Sequence, residues 1–200
     1  MAKLLILFAH PVLEKSRVHK ELLSAAQQVA GVTINDLYEQ YPDFDIDVDR
    51  EKQLMLDNDI IIWQHPFYWY SCPPLLKQWQ DLVLEHGWAY GKKGKALKGK
   101  KIFNAISSGG SESAYQFGSH NKYPIHDFLK PFEQTALLCG MHYWPPFWVH
   151  GVHQLEIEHI KPYADQYKSL LKLLTADNIP EQQIHEANFL NNLSVVNSIQ

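Results

Sequence analysis

The sequence predicts a doubly wound α/β protein, with five parallel strands in the order 2-1-3-4-5 and helices on both faces. Three observations lead there. The apolar runs Leu4-Leu5-Ile6-Leu7-Phe8 and Ile60-Ile61-Ile62 are unbroken rather than alternating, as strands are when both faces of a parallel sheet are covered. They are also too short for helices. Between the runs lie segments whose apolar residues recur at helical spacing, and strand, helix and strand follow one another within 35 residues, from Lys3 to Leu37.

Taken in order, Lys3 to Ala9 is the first strand and His10-Pro11 stops it. Ser16 is a suitable N-cap for a helix whose inner face is Val18, Leu22, Leu23, Ala26 and Val29, closed by Gly31. Val32 to Leu37 is the second strand. Pro42 to Asp49 is acidic and irregular, a surface loop, and Glu51 to Leu56 forms a short helix before the third strand, Asp59 to Gln64. Pro73 to His86 is helical, with Leu75, Trp79, Leu82, Val83 and His86 on one stripe. Lys101 to Ser107 is the fourth strand, ended by Gly109-Gly110. A helix follows from Asp127 to Leu138, with Pro131 in its first turn or kinking it. Met141 to Val152 contains Pro145-Pro146 and reads as an edge strand with an irregular middle. In the last helix Pro162 suits the first turn, and Tyr163, Tyr167, Leu170, Leu171 and Leu174 face inward. Residues 1–176 thus make one domain. Residues 177–200 are a polar tail that either packs on a neighbour or is loose.

Composition narrows the function. Two hundred residues, 46% of them apolar, bury one sizeable core. With a net charge of −4 and scattered basic residues, nucleic acid is not indicated. Lys92-Lys93-Gly94-Lys95 and Lys98-Gly99-Lys100-Lys101 read as a solvated loop. Cys72 and Cys139 form no CxxC, which fits a reducing compartment. His150 and His153 lack a third ligand at usual spacing, so no metal is expected. No apolar run approaches ~20 residues, and Met1-Ala2-Lys3 leads directly into a strand; a cytoplasmic protein is expected.

In a sheet of this order the loops after strands one, three and four meet at the switch point, where open α/β sheets bind ligands. The first, His10 to His19, is neither a GxGxxG turn nor a P-loop. It ends at a helix N-terminus that attracts anions, with Ser16 and Arg17 adding a hydroxyl and a charge; taken alone, Ser16 as a simple cap fits equally well. The second, Trp63 to Tyr70, carries five aromatic rings in eight residues, walls for a planar ligand with backbone N–H groups as donors, or else core filling. In the third, Ser107-Ser108-Gly109-Gly110, small residues let a flat ligand lie against backbone, although ordinary turns look similar. A phosphate end, an aromatic wall and a polar ring-edge loop together point to flavin mononucleotide (FMN).

These stretches, with Pro73-Pro74-Leu75-Leu76-Lys77 and His86-Gly87-Trp88-Ala89-Tyr90-Gly91, resemble the flavodoxin-like NAD(P)H:quinone oxidoreductases. They are most similar to the bacterial ancillary oxidoreductases of glutathione-gated potassium/proton antiporters. The resemblance spans about residues 3–175 and implies a flavin-containing homodimer that passes hydride from NAD(P)H to quinones by a ping-pong route. It implies that Ser16, Arg17, Val18 and His19 serve the phosphate end of the cofactor, and that His10 and Pro66 also bind the cofactor. Phe67, Tyr68, Trp69 and Tyr70 would line the isoalloxazine, and Ser107, Ser108, Gly109 and Gly110 would meet its pyrimidine edge. Tyr115 and His120 match the pair that offsets charge on the reduced flavin, and Tyr90 the ring contributed by the partner subunit. Two departures stand out: Ser107-Ser108 replaces the usual Thr-Thr, and Tyr68 stands where glutamine is common. The loop after the second strand is shorter than in relatives that carry FAD, which favours FMN. The resemblance also implies a possible membrane partner, the potassium antiporter, with the chain peripheral at the inner face of the membrane. The alternative reading is a regulatory subunit of that antiporter with a mainly structural flavin. A small electron-carrier flavodoxin fits less well, because the phosphate loop lacks the expected Thr/Ser-Gly pattern.

Overall fold

The computed structural model describes residues 1–197. Its sheet is parallel throughout and ordered β2-β1-β3-β4-β5, with β6 also paired to β4. The strands are β1 (Leu4–Phe8), β2 (Val32–Asp36), β3 (Ile60–Pro66), β4 (Lys101–Ser107), β5 (His142–Tyr143) and β6 (Phe147–Val149). Lys101 pairs with His142, and Ala105 with Phe147. β5 and β6 are therefore two pieces of one edge position, broken at Pro145-Pro146 as the missing N–H groups require.

Alternation along β1 builds two cores. Leu5 and Leu7 pack with α3 (Val48–Asp57), α4 (Pro74–Val83) and α5 (Ile125–Leu138) through Met55, Trp79 and Phe132. Leu4, Ile6 and Phe8 pack with α1 (Arg17–Ala26) and α6 (Ile157–Thr175) through Leu22, Tyr167 and Leu170. Each such side chain removed from water contributes roughly 1.5–3 kcal/mol. Beside the first core lies a buried carboxylate. Glu51 on α3 accepts hydrogen bonds from Asn35 Nδ2 at 3.0 and 2.8 Å, Tyr41 Oη at 2.6 Å and Trp79 Nε1 at 2.8 Å, and pairs with Arg50. Because burying a carboxylate is tolerated when it is this fully bonded, Glu51 ties together β2, the end of α2 (Leu37–Gln40) at Tyr41, α3 and α4.

Several expectations are corrected. α3 begins earlier than expected, since Asp47 in the acidic stretch caps it by accepting from the Arg50 N–H at 3.0 Å. α4 stops at Val83 rather than His86; Leu82 is 41% exposed, not buried. The chain leaves the helix at Leu84, and Gly87, with φ +86°, donates to the Tyr90 carbonyl at 2.8 Å. Pro131 and Pro162 stand in second turns, not first. Both are exposed, so the carbonyl each leaves without a helical donor lies on the solvent side. The tail, as far as Asn197, docks on the domain it follows. Through α7 (Glu181–Glu186), the short turn that follows it and α8 (Ser194–Asn197), it buries Ile184, Leu190, Leu193 and Val196 in the α1/α6 core. Its Leu190 N–H donates to the Pro146 carbonyl at 3.0 Å, and its Asn191 side-chain oxygen accepts from the Trp148 N–H at 2.8 Å. Among the described residues no helix is long and apolar enough to cross a membrane.

Candidate functional site

The turns after β1, β3 and β4 open onto one cavity of about 600 Å³, within the roughly 300–1,000 Å³ usual for ligand sites. The first turn contributes His10, Val12, Lys15, Ser16, Arg17 and Val18. Ser16 caps α1 by accepting the His19 N–H at 3.1 Å, while the N–H groups of Arg17 and Val18 begin the helix with no intrahelical acceptor. Arg17 Nη2 donates to the Val152 carbonyl at 3.1 Å across the cavity rim. Two free amides, a hydroxyl and a cation at the positive end of a helix form a seat for an anion.

Pro66, Phe67, Tyr68 and Trp69 form the aromatic wall. Trp69 and Tyr70 sit in the left-handed region, at φ +51° and +62°, a conformation costing bulky residues on the order of 1–3 kcal/mol. The loop is held against it by bonds on both sides. Phe67 N–H donates to Ser107 O at 2.7 Å, Tyr68 N–H to Pro66 O at 3.0 Å and Ser71 N–H to Tyr68 O at 2.9 Å, so the Phe67 and Tyr68 amides, expected to face a ligand, are satisfied within the protein. Beneath, Tyr143 donates to Asn104 Oδ1 at 2.6 Å, and Asn104 Nδ2 lies 3.0 Å from His65 Nε2. His65 Nδ1 is 3.0 Å from the Pro66 carbonyl. That carbonyl only accepts, so His65 carries its proton on Nδ1. Burial lowers the His65 pKa to about 4, leaving it a neutral strut for the loop.

Ser107 and Gly109 supply the third side, with Val152 and His153 from the turn after β6. At Gly109 a Cβ would come within 2.6 Å of His153 Nε2, and at Gly110 within 2.9 Å of the Tyr115 ring. Close approach thus accounts for both glycines.

Not every predicted site residue reaches the cavity. The His19 ring is fully buried beneath it, 2.9 Å from Ser107 Oγ, and with its N–H capped His19 has no group free for an anion. Tyr70 turns away to stack on Phe128 at 5.1 Å. Ser108 accepts from Trp148 Nε1 at 2.9 Å and donates to Gly110 O at 3.0 Å. Tyr115 is buried edge-on to Phe67 at 5.9 Å and Trp148 at 5.6 Å, and burial raises its pKa so that it stays a protonated phenol. His120 is exposed on the following turn. Tyr90 lies across His86 at 5.4 Å, in the turn after α4. The sequence reading missed Val12, Lys15, Val152 and His153. Val152 and His153 come from a turn at the end of the stretch that the sequence reads as an edge strand through Val152.

A model of the flavodoxin-like fold matches residues 2–171. The chain belongs to the flavodoxin-like fold family. This agrees with the motifs running from Trp63 to Tyr90. Within the family the chain is 45% identical over 170 residues to the glutathione-regulated potassium-efflux system ancillary protein KefG of Serratia proteamaculans, covering 85% of this chain and 93% of that one. A solved structure of general stress protein 14 from Treponema denticola, in complex with FMN, is 42% identical with a TM-score of 0.82, covering 86% of this chain and 99% of that one. A structure from P. pentosaceus described as NADPH-quinone reductase is 35% identical with a TM-score of 0.76, covering 84% and 96%. The flavodoxin-like core thus accounts for nearly all of the chain before the tail.

Proposed function

We propose that the cavity holds FMN and that the protein is an NAD(P)H:quinone oxidoreductase serving both substrates in turn from one crevice. The observation that carries this is the convergence of an anion seat, an aromatic wall and a small-residue polar edge on a single cavity. The donor set fits the group: the amides of Arg17 and Val18, the Ser16 hydroxyl and the Arg17 cation suit a phosphate monoester. Gly109 leaves room for a ring where a Cβ would strike His153. The relatives solved with FMN and described as an NADPH-quinone reductase support the same reading. Bound FMN would accept a hydride from NAD(P)H and deliver it to a quinone.

The chain's own residues would do the rest. Ser16, Arg17 and Val18 hold the phosphate, with His10 beside them. Pro66, Phe67, Tyr68 and Trp69 flank the ring system and keep water from one side. Ser107, Ser108, Gly109 and Gly110 shape the polar edge, where donors aimed at developing negative charge are worth most. Tyr115, protonated and close behind Phe67, and His120 on the exposed side of the same loop would supply such donors once substrate is present. FMN is favoured over FAD by the short loop after β2. A homodimer is supported by the exposed Trp69, Tyr70, Phe117 and Tyr123 on loops beside the cavity; Tyr90 would enter the partner's crevice. Titration with FMN, followed by NAD(P)H oxidation with a soluble quinone, tests the reading; a protein that takes up no FMN refutes it.

The description of the Serratia relative as an ancillary potassium-efflux protein favours a second reading, a regulatory role at the inner face of a membrane antiporter. Substituting Tyr115 and His120 separates the two. If potassium efflux survives when quinone reduction is lost, the flavin's part there is structural.

A further inference from the structure

Below the cavity floor a line of buried polar side chains crosses the α1/α6 side of the sheet. Tyr167 Oη on α6 donates to Gln64 Oε1 at 2.9 Å, Gln64 Nε2 lies 3.4 Å from His19 Nδ1, and His19 Nε2 lies 2.9 Å from Ser107 Oγ. Tyr167, Gln64 and His19 are all fully buried, and Ser107 lines the cavity. We propose that Tyr167, Gln64 and His19 form a one-way hydrogen-bond chain that fixes the Ser107 hydroxyl as a donor toward the cavity.

The direction follows from the proton at the buried end. Among the described residues Gln64 is the one hydrogen-bond partner of the Tyr167 hydroxyl. Were Gln64 turned so that its amide donated to Tyr167, the phenolic proton would be left buried with no acceptor, a penalty of roughly 1–3 kcal/mol. Tyr167 therefore donates, Gln64 accepts through Oε1, and its Nε2 points its proton at His19 Nδ1. A nitrogen that accepts is bare, so the single proton of a neutral imidazole sits on Nε2. Burial, reinforced by the neighbouring His10 and His65, holds His19 well below the usual histidine pKa, which keeps the ring neutral. His19 Nε2–H then donates to Ser107 Oγ. The Ser107 proton cannot return along that bond, and the open direction is the cavity.

The consequence is selectivity without charge. With the chain running the other way, Ser107 would donate to His19 and show its lone pairs to the ligand, favouring a ligand N–H. As built, it favours a ligand carbonyl or bare ring nitrogen. That the ligand is FMN rests on the reading above. Tyr167, Gln64 and His19 are positioning residues; Ser107 makes the contact.

The test uses the full-length chain. With 15N-labelled histidine at neutral pH, without added FMN, long-range proton–nitrogen correlation reads the His19 tautomer directly. A protonated Nε2 and bare Nδ1 are expected; the opposite tautomer overturns the proposal. Tyr167→Phe keeps the ring packed on Phe147 but removes the directing proton, so the His19 signals should shift toward a mixture of tautomers; unchanged signals overturn it. FMN titrations then compare variants. Ser107→Ala and Tyr167→Phe should each weaken FMN by about five- to tenfold, and Ser107→Thr should restore wild-type affinity. Wild-type FMN binding that Ser107→Ala leaves untouched overturns the inference and spares the cofactor assignment. Failure of the wild-type protein to bind FMN overturns the cofactor assignment, while the tautomer measurement still decides the chain's direction.

Discussion

The anion seat makes a prediction whose size follows from its parts. Arg17→Ala removes a guanidinium that bridges to Val152 at the cavity rim but leaves the Ser16 hydroxyl and the helix-start amides of residues 17 and 18 in place. A charge-assisted hydrogen bond contributes about 1.5–3 kcal/mol when well ordered. Arg17 is exposed, where solvent and salt screen it, so the loss should fall near 1–2 kcal/mol, about five- to thirtyfold in the dissociation constant for FMN. Riboflavin, identical except for the phosphate, should bind the variant within about twofold of its affinity for the unaltered protein, since a group that meets no phosphate adds little beyond the median of a surface contact. Fluorescence titration of both ligands at two salt concentrations reads the effect, and the salt dependence of FMN binding should shrink in the variant. Equal weakening of FMN and riboflavin would refute the reasoning, because Arg17 would then act by holding the Val152 turn rather than by meeting a phosphate.

Three further predictions concern the scaffold around the site. His65 has a folded-state pKa of about 4 against an ordinary value near 6.5. Between those values the unfolded chain binds the extra proton, so stability falls as pH drops, by about 2 kcal/mol from this group at pH 5; a urea midpoint that does not move between pH 7 and 5 contradicts it. Glu51→Ala strands the donors of Asn35, Tyr41, Trp79 and Arg50 and should destabilise the fold by about 3–5 kcal/mol, measured by denaturant unfolding; a loss below about 1 kcal/mol would show the network to be dispensable. Trp69 is 93% exposed with φ +51°. Trp69→Gly should therefore hold or raise stability, by up to about 1 kcal/mol, while slowing quinone reduction; a lower melting temperature with unchanged turnover would reverse that assignment.

The centre of the sheet was legible because its strands are buried on both faces. Leu4–Phe8 and Ile60-Ile61-Ile62 leave few other readings for such short apolar runs. Helix ends were read less well where a local stop overrode periodicity. His86 continues the stripe of α4, yet the turn built on Gly87 takes it out of the helix, while Leu82 stays in the helix on its exposed side. The acidic stretch after Tyr41 looked like surface, and charge alone gave no hint that Glu51 is buried, because its donors come from β2, α3 and α4 and meet only in the folded chain. The three turns of the site were found from the switch-point rule and their unusual residues. The resemblance carried His19 to the phosphate end of the cofactor, whereas in the fold its ring points inward to Ser107, 88 residues away in sequence. Pairing of that range has no local signature. The tail misled because its apolar residues are spaced too irregularly to mark a helix, although they dock on the α1/α6 core.

The most direct test of the account is an absorption spectrum of the purified protein after incubation with FMN and removal of free ligand. The account predicts retained flavin absorbance close to one equivalent per chain, bleached by NAD(P)H and restored by a quinone. A colourless protein, or one whose bound flavin neither bleaches with NAD(P)H nor recovers with quinone, would contradict it.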